Sequence, residues 1–63
     1  MTEDCIKFMD RHRIDDGLLR ELLYKKKYSE AYKQIINTRA KYEEVIHNVE
    51  LLMNTIQLLD TEK

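Results

Sequence analysis

The sequence predicts an all-α fold. The expected architecture is a helical hairpin with a short N-terminal helix and one long heptad-bearing helix, which dimerises into a helical bundle. Three observations predict it. The 63 residues contain no proline and one glycine, so little interrupts a helix. Apolar residues in the second half repeat at alternating spacings of three and four, the signature of a helical seam. A chain this short buries only about 60% of its unfolded surface, and lone Cys5 can close no internal disulfide. With no Cys/His cluster for a metal either, self-association is the common remaining source of stability.

A single domain, residues 1–63, should carry helices over about 3–13, 17–27 and 29–60. In the first, Thr2 is a fair N-cap, and Glu3 and Asp4 suit the positive end of the helix dipole. Arg11, His12 and Arg13 suit the other end, while Cys5, Ile6, Phe8 and Met9 supply modest apolar content. In the second, Asp15 or Asp16 can cap. Leu18, Leu19, Leu22 and Leu23 form a broad apolar face, and Lys25, Lys26 and Lys27 fall in the last turn, where cations are favoured. The leucines do not continue into the register of the third helix. A turn near Lys27–Ser29, with Ser29 as N-cap, accounts for the shift; one bent continuous helix is the alternative.

The third helix has the clearest pattern. Tyr28, Ala31, Ile35, Thr38, Tyr42, Val45, Val49, Leu52, Ile56 and Leu59 follow the heptad spacing without a slip. Ile46 and Met53 widen the stripe, as suits a bundle helix. Asn37 and Thr38 form helix less well and invite a kink. Straight, this helix would be about 48 Å long, whereas a compact domain of this size has a radius of gyration of only about 11 Å. The expected consequence is an uncovered stripe of Val49, Leu52, Met53, Ile56 and Leu59 that needs a partner.

Charge is uneven along the chain. Residues 1–10 carry net −2, residues 11–41 net +5 and residues 42–63 net −4, for −1 in all. Such a chain can pair basic half against acidic half with an antiparallel copy; plain solvation of the charged faces is the simpler reading. The lone cysteine and the lack of a signal peptide suggest an intracellular, cytoplasmic location. No apolar run approaches the roughly 20 residues of a membrane span.

The stretch Leu19-x-x-Leu22-Leu23-x-x-x-Lys27-Tyr28-Ser29-Glu30-Ala31-Tyr32-x-x-Ile35 resembles the LisH motif. Leu23 matches the motif leucine, Tyr28 the turn aromatic and Ala31 the small packing residue, with Ile35 where a Phe is usual. Lys27 stands at the family's Gly and Leu22 at its usual Tyr. The resemblance implies dimerisation, often with a coiled coil following. Lys27–Ala31 also fits half of a tetratricopeptide repeat or a microtubule-interacting-and-trafficking helix, but a single copy makes no solenoid.

Little points to chemistry. Glu44 and His47 have the Glu-x-x-His spacing of di-iron bundles, yet lie roughly opposite the seam, where a surface acid and histidine are ordinary. His12, beside Asp10 and two arginines, reads as a surface histidine, and Cys5, beside Glu3 and Asp4, as an inert buried thiol. No nucleophile–base set and no Gly-rich phosphate loop is recognisable. An enzyme is therefore not expected, nor a cofactor.

The expected function is binding: self-association, with capture or inhibition of a larger protein. Tyr42, Val45, Val49, Leu52, Ile56 and Leu59 would form the self-association seam; Leu19, Leu22, Leu23, Tyr28, Ala31 and Ile35 would lock the hairpin. The alternative is a small nucleic-acid regulator using the basic segment 11–41, with Lys25–Lys27 on phosphate. Against it, the sequence pI is 6.1, where a nucleic-acid-binding domain is commonly above about 9. A further alternative is the excised oligomerisation region of a longer protein. Tyr24 and Tyr32 fit equally a partner-binding strip and the wet edge of a hairpin.

Overall fold

The computed structural model describes residues 2–61. Their regular structure is all helical, with no strand among them: α1 (Thr2–Arg11), α2 (Gly17–Tyr24), α3 (Tyr28–Thr38), a 3-10 segment (Arg39–Val45) and α4 (Ile46–Thr61).

In α1, Cys5, Ile6 and Met9 fall on one face and are buried. The helix stops through a Schellman-type end. Arg13 turns left-handed at φ 61°, and the Ile14 N–H donates to the Met9 carbonyl at 2.9 Å. Both Ile14 and Met9 enter the core, the apolar contact that accompanies this motif. The expected helix to residue 13 thus ends two residues early, because residue 13 is the reversal itself.

Asp16 caps α2, as expected for one of the two aspartates. Its Oδ1 accepts the Leu19 N–H at 3.1 Å, while its Oδ2 accepts Gln34 Nε2 of α3 at 3.1 Å. One carboxylate therefore starts a helix and ties it to the next. Leu19 and Leu23 face inward, and Leu18 is exposed. The end of α2 is a second Schellman motif: the N–H groups of Lys26 and Lys27 donate to the carbonyls of Leu23 and Leu22 at 3.0 and 2.9 Å. Lys26 is the left-handed residue, at φ 60°. The turn falls where the register shift places it, but Ser29 is not the cap. Helix α3 begins at Tyr28 with Lys27 in the cap position and no side-chain capping bond.

Residues 28–61 form the expected long run of helical residues, 34 of them. They do not form a straight rod. The molecule measures 32 × 20 × 18 Å, shorter than the about 51 Å of a straight helix of that length. The 3-10 segment turns the chain back, with Tyr42 leaving helical geometry at φ −116°, ψ 29°. The kink invited at Asn37–Thr38 is realised just beyond them, as a reversal. The start of α3 (Tyr28, Ser29) consequently lies beside the end of α4 (Gln57, Asp60). The end of α3 meets the start of α4 through an ion pair between Arg39 and Glu50 at 2.9 Å.

The helices close into a ring in which α2 touches α1 and α3, and α4 touches α3 and α1. Ile35 and Ala31 of α3 and Val49, Leu52, Met53 and Ile56 of α4 are buried in the shared core. This overturns one expectation directly. The stripe predicted to lie uncovered is covered by the chain's own α3 and α1, because the reversal brings both halves of the seam together. The basic and acidic halves meet within one chain for the same reason.

Candidate functional site

Of the residues expected to carry self-association, Val49, Leu52 and Ile56 are fully buried, and Tyr42, Val45 and Leu59 are half-buried against the same core. In this conformation the three central residues of the seam, Val49, Leu52 and Ile56, are packed within the chain itself. Of the residues expected to lock the hairpin, Leu19, Leu23, Tyr28, Ala31 and Ile35 are buried in the core, and Leu22 packs at its edge.

The expected partner or phosphate contacts are dispersed. Tyr24 and Lys25–Lys27 are exposed at the α2–α3 turn, and Tyr32 is half-buried. Lys25 Nζ lies 2.9 Å from Glu21 and Lys27 Nζ 4.0 Å from Glu30, so two of the three lysines are drawn to acids on neighbouring turns. Glu44 and His47 both face solvent. His12 stacks on Phe8, ring centroids 4.3 Å apart. Cys5 is buried, and burial pushes its thiol above its ordinary pKa. No helix among the described residues is long and apolar enough to cross a membrane.

A different surface emerges on α4. With about 100° between successive residues, Leu51 and Leu58 fall roughly opposite buried Val49. They are 45% and 64% exposed and stand seven positions apart, on one face. Asn54 and Thr55 lie between them, and His47 and Thr61 continue the stripe at either end. The hydroxyls along it are turned inward. Thr55 donates to the Leu51 carbonyl at 3.1 Å and Thr61 to the Leu58 carbonyl at 2.8 Å. Each threonine satisfies its polar group on its own backbone. The only Asp or Glu residues between Ile46 and Thr61 are Glu50, which pairs with Arg39, and Asp60, which lines the cavity against α3.

The remaining exposed large apolar side chains are Leu18, Tyr24 and Ile36. They sit on α2 and α3, whose outer turns carry Glu21, Lys25, Glu30 and Lys33; scattered singly among charges, such residues need no special account. The α4 face is distinguished by what it lacks as well as by its leucines. Sequence reading passed over Leu51 and Leu58 because the stronger seam, phased to Val49, absorbed the helix. A signal was present in the seven-residue spacing of two leucines across an uncharged turn. A cavity of about 190 Å³ lies between Tyr28, Tyr32 and Lys33 of α3 and Gln57 and Asp60 of α4. It has no cluster of metal-ligating side chains.

Comparison with protein-family models, with curated proteins and with solved structures found no match.

Proposed function

We propose that this chain is a non-enzymatic helical interaction module that lays the outward face of α4 into an apolar groove of a larger protein. The observation that carries the reading is the uncharged stripe from His47 to Thr61, with Leu51 and Leu58 exposed on it. Burying what remains exposed of these two leucines, 45% and 64%, contributes about 1.5–3 kcal/mol before the costs of association. Anchors at i and i+7 are the pattern by which a helix engages a groove.

Size decides between occupants of this face. Helix α4 has 16 residues and is about 24 Å long. A strip about 10 Å wide along it gives only about 240 Å², against about 800 Å² per partner in a stable interface. Two α4 faces pressed together fall short of that. A groove that also takes in the exposed flanks of α4 buries more than a flat second copy can, in the range of a small, transient contact. Residues 42–63 carry net −4, so the groove that fits best has a basic rim. The acid partners of Lys25 and Lys27 favour this protein-binding reading over a phosphate-binding one.

The test places a photo-crosslinking residue at position 58, and at exposed Glu21 of α2 as control, in cells that make the protein. The expected result is one discrete adduct from position 58 that disappears in the Leu51→Glu background and is absent from position 21. No discrete adduct, or equal adducts from both positions, overturns the proposal. Retention on heparin that falls steeply with salt would favour the nucleic-acid alternative instead.

A further inference from the structure

We infer that the 3-10 segment Arg39–Val45 is a hinge through which two copies of this chain exchange α4, giving a domain-swapped dimer. This goes beyond the docking role of α4, whose outward face is uninvolved in the exchange.

Four observations converge on the hinge. First, the seam ignores it. Thr38, Tyr42 and Val45 continue the alternation of three and four from Ala31 and Ile35 into Val49, Leu52 and Ile56. A chain designed only to turn here has no need of a seam in phase across the turn. A straight helix does, because only then do all these residues fall on one face. Second, the segment Arg39-Ala40-Lys41-Tyr42-Glu43-Glu44-Val45 holds neither glycine nor proline. Alanine, arginine, lysine and glutamate are among the better helix formers, so the sequence accepts the straight form. Third, the segment is not one regular helix: two short helical pieces meet at a kink at Tyr42, which leaves helical geometry at φ −116°, ψ 29°. None of its residues is fully buried, so straightening it uncovers little of the core. Fourth, the closed form is latched at the hinge by two exposed polar contacts: Arg39 to Glu50 at 2.9 Å, and the Tyr42 hydroxyl donating to the Asp15 carbonyl at 3.2 Å.

The exchange conserves the core. In the closed chain α3 and α4 run antiparallel. When residues 28–61 straighten, α3 of one copy faces α4 of the other, also antiparallel, about a two-fold axis near Tyr42. Ala31 and Ile35 then meet Val49, Leu52 and Ile56 of the second copy, and Arg39 meets its Glu50. The same contacts form twice, so the balance between forms rests on the hinge and on concentration. Helices α1 and α2 remain with their own α3, and α1 packs on the incoming α4. The outward Leu51–Leu58 face stays outward, so the dimer displays two docking faces where the monomer displays one, and gains avidity for any partner that presents two grooves.

The experiment measures solution mass together with which chain each cross-link joins. Lys33 and Gln57 line one cavity across the α3–α4 contact. Cysteines at both positions, in a Cys5→Ala background, are joined by a short bismaleimide after refolding at low and at high protein concentration. The expected result is a monomer with intrachain links at low concentration, and a dimer with interchain links after refolding at high concentration. Two variants fix the cause. A chain lacking residues 39–45 keeps the seam spacing, since one heptad is removed, but has no residues left with which to turn; it is expected to be a helical dimer throughout. The pair Ala40→Gly and Lys41→Gly penalises the straight helix in both copies, and is expected to raise the dimer dissociation constant by about two to three orders of magnitude. A wild-type chain that stays monomeric at every concentration overturns the inference. So does a dimer whose links are all intrachain, and so does a shortened chain that is monomeric or unfolded. A dimer with intrachain links leaves the hinge idea false while the α4 face remains open to test by crosslinking at position 58, so the two readings fail separately.

Discussion

Glycine is misplaced in this sequence, and two residues show it. Lys26 occupies the left-handed position of a Schellman motif at φ 60°, where a residue with a Cβ is disfavoured and glycine is the usual occupant. Gly17 opens α2 with nothing within 4 Å of where a Cβ would stand, and its φ is not positive. Lys26→Gly relieves the left-handed penalty; Gly17→Ala removes unfolded-state freedom that folding must otherwise suppress. Each is expected to raise stability by about 0.5–1 kcal/mol, read from denaturant midpoints, and the two should add because they touch no common neighbour. Asp16→Ala should act in the opposite sense. It removes both the Leu19 cap and the Gln34 tie, and a loss of about 1–2 kcal/mol is expected by the same measurement. The cap was legible in the sequence, since Asp before an apolar-periodic stretch is a helix start. The left-handed residues were not, because nothing in Arg13 or Lys26 announces a positive φ; only the core position of Ile14 behind Arg13 hints that the chain has reversed.

At the scale of elements, the reversal at Arg39–Val45 is the feature that sequence reading could not place. Heptad spacing reports that residues share a face along a helix. Within each arm it is obeyed equally by one straight helix and by two arms folded face to face, so the spacing alone does not mark a reversal. Asn37 and Thr38 mark where helix weakens, but the segment that turns lacks the glycine or proline that usually signals a stop. Tyr42 is where the turn can be probed. Burial, with the nearby Asp16 and Asp15, pushes its phenol above the ordinary value of 10.0. A raised folded-state value means that the protonated phenol is favoured by folding. Its contribution is therefore present below pH 10 and is lost as pH rises through the raised value. Tyrosinate absorbance should show one late-titrating tyrosine, absent in Tyr42→Phe. Tyr42→Phe also deletes the bond to the Asp15 carbonyl and should cost about 0.5–1 kcal/mol near neutral pH. If Tyr42→Phe instead removes amplitude near the ordinary value of 10.0, the phenol is free of the Asp15–Asp16 turn.

The whole molecule settles what the seam is for in the closed chain. Accessible surface is 4462 Å², close to the about 4,300 Å² expected of a compact monomer of this mass. The radius of gyration, 10.3 Å, matches the about 10.6 Å expected for the length. A chain that left its long helix bare would exceed both. Two substitutions on the same helix separate core from surface. Val49→Asp places a carboxylate at a site 1% exposed, among Ile35, Leu52 and Ile56. Among the described residues no polar or charged residue is buried in this core to receive it. A buried charge without a partner costs several kcal/mol, a large share of the total for so small a domain. Val49→Asp should therefore lose helical circular dichroism at every protein concentration, because the packing it destroys lies within one chain and is only repeated, never replaced, in an exchanged dimer. Leu58→Glu, on the outward face of the same helix, should leave circular dichroism and the denaturation midpoint within about 0.5 kcal/mol of the parent, while abolishing any adduct formed from a crosslinker at Leu51. The opposite pattern, a folded Val49→Asp chain and an unfolded Leu58→Glu chain, would require α4 to be turned about its axis by half a revolution.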